Sequence, residues 1–161
     1  FWLSVFMLIN LIQIGALLME RRGAALSAEE QALHAALFGD LPPVAAARLL
    51  RSAQWATLPT GQALAQQGAG LDEVVLVWDG EISIRRDGEE IARAQRGNFI
   101  GEMGFLSGAS ATATAVTATT CRCVRWSRDA LEQLLTRDAL LEARFHRMLA
   151  TDLSAKLAPS H

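Results

Sequence analysis

The chain has 161 residues, 51% hydrophobic and 20% charged, with a net charge of −2. That composition excludes an intrinsically disordered chain, and the small negative charge gives no global basic field to attract nucleic acid. Two cysteines, Cys121 and Cys123, cannot build a disulfide scaffold. The basic residues are fourteen Arg and the single Lys156, which with the abundant Ala reads as a coding bias.

Residues Phe1 to Met19 carry no charge and are interrupted by Ser4, Asn10, Gln13 and Gly15. A helix of that length spans about 28 Å, close to the hydrocarbon thickness of a bilayer. A transmembrane helix over residues 1–22 is the favoured reading. A signal peptide lacks its basic start and small-residue cleavage site, and a buried helix of a soluble protein is the third alternative. Arg21 and Arg22 then mark the cytoplasmic side, placing everything from Gly23 onward in the cytoplasm. With no initial Met, upstream sequence is expected, and the number of further spans is left open.

Residues 23–52 form a helical hairpin connector. Ser27 and Glu30 make a capping box for a helix through about Phe38, with Leu33, Ala36 and Leu37 on one stripe. Gly39-Asp40 stops it. Pro42-Pro43 opens a second short helix that buries Val44, Ala47, Leu49 and Leu50. From Ala53 to Trp126 short runs of β-formers alternate with glycine turns: QWATL, ALAQQ, EVVLVW, EISIRR, EEIARAQ, ATAVTAT and CRCVRW. Such spacing indicates an antiparallel barrel or sandwich. EISIRR, Asp87-Gly88 and EEIARA make the clearest hairpin, with Ile82, Ile84, Ile91 and Ala94 inward by period two. Ser127 caps a helix of about eight residues. A longer helix runs from about Asp138 to Leu157, with Leu141, Phe145, Met148, Leu149 and Leu153 as its apolar stripe. The fold class is α+β: a jelly-roll-like antiparallel β-roll of about eight strands over residues 53–161, flanked by the N-terminal helices and two C-terminal helices, and preceded by the transmembrane helix.

The segment Phe99 to Gly108 breaks the strand pattern. Its glycines permit a tight turn into a short helix that would present backbone N–H groups to an anion, and Glu102 can accept hydrogen bonds from a hydroxylated ligand. A Gly-Glu pair alone is weak evidence, and a solvated turn competes with it. The spacing of the whole region adds to it. TGQALAQQG, VVLVWDGEISI, DGEEIARAQRGNFIGEMGFLSG and SATATAVTA together resemble the cyclic nucleotide-binding domain superfamily, with turn glycines at Gly61, Gly68, Gly80, Gly97 and Gly101. The resemblance covers about Ala53 to Leu157.

That resemblance implies a phosphate-binding cassette beginning at Gly101. Glu102 would bind a ribose 2′-hydroxyl, and backbone N–H groups near Met103 and Gly104 would hold the cyclic phosphate. Val75, Val77 and Met103 would line the pocket, and Thr112 and Ala113 occupy the last two cassette positions. The C-terminal helix would be a lid over the base. The family's cassette Arg falls on Ala111, a loss worth about 2 kcal/mol, or roughly 30-fold in affinity. Ser110 and Thr112, or Arg85, Arg93 or Arg122 reaching in from a strand, are the candidate substitutes. The layout of a membrane run, a helical pair and a β-roll also resembles Popeye-domain proteins, membrane-anchored cyclic-nucleotide binders with a diverged cassette.

Cys121-Arg-Cys123 lacks the further ligands of a zinc site, so no metal or cofactor is expected beyond the ligand, cAMP or cGMP. His34, His146 and His161 form no nucleophilic set; His146 reads as a surface residue, and Trp55, Trp78 and Trp126 as packing. Arg85-Arg86 reads as an ordinary solvated strand face. No helix-turn-helix follows the long helix, so no nucleic acid partner is expected. The expected function is a non-enzymatic, membrane-tethered cyclic-nucleotide sensor with its β-roll in the cytoplasm, self-association through the helices being open. The alternative is a nucleotide-free scaffold on the same fold, because of Ala111.

Overall fold

A computed structural model describes residues 26–157. The run Phe1–Arg22, read above as a transmembrane helix, lies outside the described residues. Among the described residues no helix is long and apolar enough to cross a membrane.

The chain divides into two compact units, one ending at Gly39 and one beginning at Asp40. The first contributes α1 (Ala28–Leu37), which starts where its capping box dictates: the Ser27 hydroxyl accepts from Glu30 N, and the Glu30 carboxylate accepts from Ser27 N.

The second unit begins with α2 (Pro43–Arg51), followed by eight strands and three further helices. The strands are β1 (Gln54–Leu58), β2 (Ala63–Ala65), β3 (Glu73–Asp79), β4 (Ile82–Arg86), β5 (Glu89–Ala94), β6 (Phe99–Ile100), β7 (Thr114–Thr117) and β8 (Cys121–Ser127). Helix α3 (Glu102–Ser107) interrupts them, and α4 (Arg128–Thr136) and α5 (Ala139–Leu157) close the chain. Two four-stranded antiparallel sheets result, one ordered β1-β8-β3-β6 and the other β2-β7-β4-β5. The expected α+β roll is therefore present. The short β6 was not expected as a strand; its two residues are too few to carry a period.

The roll interior is lined by Leu58, Val75, Val77, Ile82, Ala94, Ile100, Ala115, Cys121 and Cys123, drawn from both sheets. Both cysteines are free. Burial pushes the Cys123 thiol up to about 11. The other face of the first sheet is apolar too, which is why β3 reads EVVLVW without alternation: Val74 through Trp78 are all buried. The fully buried Trp126 and half-buried Phe105 pack on Phe145 of α5, as does Phe99, with ring centroids 6.1–6.3 Å apart. The Trp126 Nε1–H donates to the Leu49 carbonyl at 2.8 Å, which ties β8 to α2.

Two expected details differ. Val44 is 65% exposed, and α2 instead buries Ala45, Ala46, Ala47, Leu49 and Leu50. Ile91 is 49% exposed and lies on the wall of an open cavity with Ile84, outside the roll core; a bulge falls on it, since Ile84 pairs with Ala92 and Arg85 with Glu90, leaving Ile91 unpaired.

Trp126→Phe is expected to lower stability by about 1–3 kcal/mol, through the lost hydrogen bond and a smaller ring in a fully buried site. Urea unfolding of the two proteins measures it.

Candidate functional site

Strand β6 pairs with β3, Val75 opposite Ile100. The chain must then turn away from the sheet within one residue, and Gly101 does so at φ +88°. A Cβ at Gly101 would lie 2.7 Å from the Glu73 carbonyl oxygen, so only glycine fits there. Helix α3 starts at once with Glu102 and stops at Gly108, which is left-handed at φ +70°. The returning arm is held to an earlier turn: Gly68 N–H donates to Ala111 O at 2.7 Å, and Ala111 N–H donates to Ala69 O at 2.9 Å. Strand β7 follows directly.

Between α3, this arm, β4, β5 and the end of α5 lies a cavity of about 150 Å³. Gly101, Glu102, Met103, Gly104, Ala111, Thr112 and Ala113 all line it. The sequence-predicted residues from Gly101 to Ala113 thus converge on one space. Val75 and Val77 do not line it. They are buried within the roll core at 1% and 0% exposure, and the apolar wall comes from Ile84, Phe99, Ile100 and Ala115 instead. Strand β3 is covered on both faces, whereas the end of β4 and the arm leading into β7 lie beside the cavity.

Glu102 is 6% exposed. A carboxylate that buried needs a cation or several donors. Lys156 of α5 supplies the charge: its Nζ lies 2.6 Å from Glu102 Oε1 and 2.7 Å from Asp152 Oδ2, and it also donates to the Phe99 carbonyl. Asp152 accepts in turn from Asn98 Nδ2 at 2.8 Å and from Phe99 N–H at 3.1 Å. The end of α5 is thereby fastened to the strand that delivers Gly101. Leu153 and Leu157 flank Lys156 on the cavity wall.

Lys156 and Asp152 were missed in the sequence. Their signal was the i, i+4 spacing of opposite charges on the last turns of the final helix, with Lys156 the single lysine of the chain. Of the strand arginines named as candidates, Arg93 is paired with Glu81 and Glu90. Arg122 stacks over Trp55 at 5.0 Å and donates to Thr57. Arg85 lies on the side of β4 away from the cavity, where its charge helps hold the Glu90 carboxyl below its ordinary range, after the Ser83 and Arg93 hydrogen bonds. Arg86 lines the cavity.

The arrangement is built for binding: apolar walls, one buried carboxylate able to accept from a hydroxyl, and the first-turn N–H groups of α3, which have no intrahelical acceptors. Among the described residues no cluster of three or more His, Cys, Asp or Glu is placed to hold a metal ion.

The family model of the cyclic nucleotide-binding domain matches residues 55–138. The chain is 26% identical over 166 residues to Popeye domain-containing protein 1 of Gallus gallus, covering 97% of this chain and 46% of that protein. It therefore spans about half the length of that curated relative. A solved cyclic nucleotide-binding domain from Methylobacillus flagellatus KT is 29% identical, with TM-score 0.67 over 74% of this chain and 70% of that one. The sensor domain of the transcriptional regulator DNR from Pseudomonas aeruginosa is 25% identical, with TM-score 0.60 over 80% and 90%.

Gly101→Ala is expected to cost about 1–3 kcal/mol, since alanine is strained at this φ and its methyl would meet the Glu73 carbonyl. Gly70→Ala, at a site with open space and no positive φ, serves as the control in the same denaturation series and is expected to stay within about 0.5 kcal/mol of the parent.

Proposed function

Because the chain belongs to the cyclic nucleotide-binding domain family, we propose that it is a non-enzymatic regulatory module that binds cAMP or cGMP in the α3 cavity and is tethered to a membrane by its N-terminal run. The observation that carries the reading is the convergence of Gly101 to Gly104 and Ala111 to Ala113 on one cavity around a buried carboxylate. Glu102 accepts from the ribose 2′-hydroxyl, and the N–H groups of the first turn of α3 face the cyclic phosphate. The tether rests on the uncharged residues 1–19 and the Arg21-Arg22 flank, with the β-roll on the cytoplasmic side.

The Lys156–Glu102 pair supplies the coupling step. A ribose hydroxyl must share or displace the ammonium that already occupies Glu102 Oε1. Releasing Lys156 loosens its hold on the Phe99 carbonyl and on Asp152 as well, freeing the last turns of α5. The ligand shifts α5 by as much as its affinities for the latched and released arrangements differ. A nucleotide-free scaffold is the second reading, and the alanine at position 111 is the observation that favours it.

Titration calorimetry of cAMP and cGMP into the full chain tests the proposal. Saturable uptake of one nucleotide, abolished by Glu102→Ala, is expected. A folded protein that takes up neither at millimolar ligand would establish the scaffold reading.

Lys156→Met is expected to lower the stability of the ligand-free protein by about 1–3 kcal/mol, a value reduced from that of fully buried pairs because the lysine is partly exposed. The same variant is expected to bind nucleotide several-fold more tightly, since the competitor for Glu102 is gone. Equal affinity in parent and variant would refute the latch.

A further inference from the structure

The cavity wall carries three ionisable side chains, Arg86, Glu102 and Lys156. Lys156 is engaged by Glu102 and, behind it, by Asp152, so its charge is taken up within that cluster. Arg86 is left over. Among the described residues it makes no side-chain ion pair, although Glu89 lies opposite it in the hairpin register. Its Nε donates to the Thr112 carbonyl at 3.2 Å. That bond pins the guanidinium against the arm carrying Ala111 and Thr112, with the two terminal nitrogens unclaimed by any described residue. Neighbouring cations are committed elsewhere: Arg93 to Glu81 and Glu90, Arg125 to Glu73, Arg128 to Glu132, and Arg96 over the Trp78 ring.

The strand puts Arg86 there for a simple reason. Residues Ile82, Ile84 and Arg86 share one face of β4. Ile82 is in the roll core, Ile84 is on the cavity wall, and Arg86 is at the end of the strand beside the cavity. Strand β4 pairs with β7, Arg85 opposite Thr114, so the next residue along β4 lies beside the arm that enters β7.

We infer that Arg86 is the phosphate-binding cation of this cavity, taking from the neighbouring strand the charge that Ala111 does not provide. This rests on the cyclic-nucleotide reading above. An uncompensated guanidinium fork recognises an anionic diester oxygen pair with geometry as well as charge, so Arg86 sets the preference for a cyclic nucleotide over the uncharged nucleoside of the same base.

The test is calorimetry of the full chain with cAMP, cGMP, adenosine and guanosine, in the parent, Arg86→Gln, and Arg86→Gln combined with Ala111→Arg. Arg86 is exposed, and glutamine retains a donor for the Thr112 carbonyl, so folding is not at risk; matching melting temperatures verify it. Arg86→Gln is expected to weaken the preferred cyclic nucleotide about tenfold, to leave nucleoside uptake unchanged, and to flatten the decline of nucleotide affinity with added KCl. Ala111→Arg in the same background is expected to restore affinity. A parent that binds nucleotide and an Arg86→Gln variant that binds it equally well would overturn the assignment while the function stands. Equal weakening of nucleotide and nucleoside, or an unaltered salt dependence, would overturn it too. A folded parent that takes up no cyclic nucleotide would overturn both.

Discussion

A carboxylate with 6% exposure at the start of α3 organises this domain. Charge in that setting demands a partner, since an isolated buried ion is far more costly than a paired one. The partner comes from the far end of the chain, and its three acceptors gather β6, α3 and α5 at one point. The position of the last helix is thus tied to the state of the residue best placed to touch a ligand hydroxyl. In the proposed function, sharing that charge with a ligand acts on the anchoring of α5 directly, without a relay through the roll.

A second set of contacts joins the same elements by packing. Phe145 of α5 meets Phe99 of β6, Phe105 of α3 and Trp126 of β8, each edge-on. These rings lie at the middle of α5, whereas Lys156 lies at its end. The two attachments differ in kind. Aromatic packing is insensitive to a polar ligand, and the ion pair is not. In the proposed coupling, a ligand that competes for Glu102 would act on the last turns of the helix while the Phe145 cluster holds its middle, a local release in place of displacement of the whole helix.

The cavity also distributes charge differently from the cassette pattern it resembles. The pattern carries its phosphate cation on the arm after α3, where this chain has Ala111. Here the uncompensated cation is on the adjoining strand and is bonded to that arm through the Thr112 carbonyl. The same corner of the cavity is reached from a different backbone, because antiparallel pairing of β4 with β7 lays the end of one strand along the start of the other.

Much of this was legible in the sequence because it depends on neighbours a few residues apart. The Ser27–Glu30 capping box, the Asp87-Gly88 hairpin, the positive-φ glycines at 61, 68, 80, 97 and 101, and the turn at Gly101 into a short helix are all local chemistry. What failed was whatever required two distant segments to meet. Val75 and Val77 alternate as cavity residues would, yet coverage of β3 on both faces makes them core. Ile91 fits an inward period until a bulge removes its partner. Arg86 and Lys156 look like ordinary surface charge in sequence. Only the pairing of β4 with β7, and the return of α5 over β6, bring them to one cavity with Glu102. The sequence by itself determined the β-roll, its turns and the loop that makes the cavity, because backbone geometry and hydrophobic period are written locally. The tertiary structure decided which charges face that cavity, because the burial that makes them matter is created only when the two sheets and the last helix close around it.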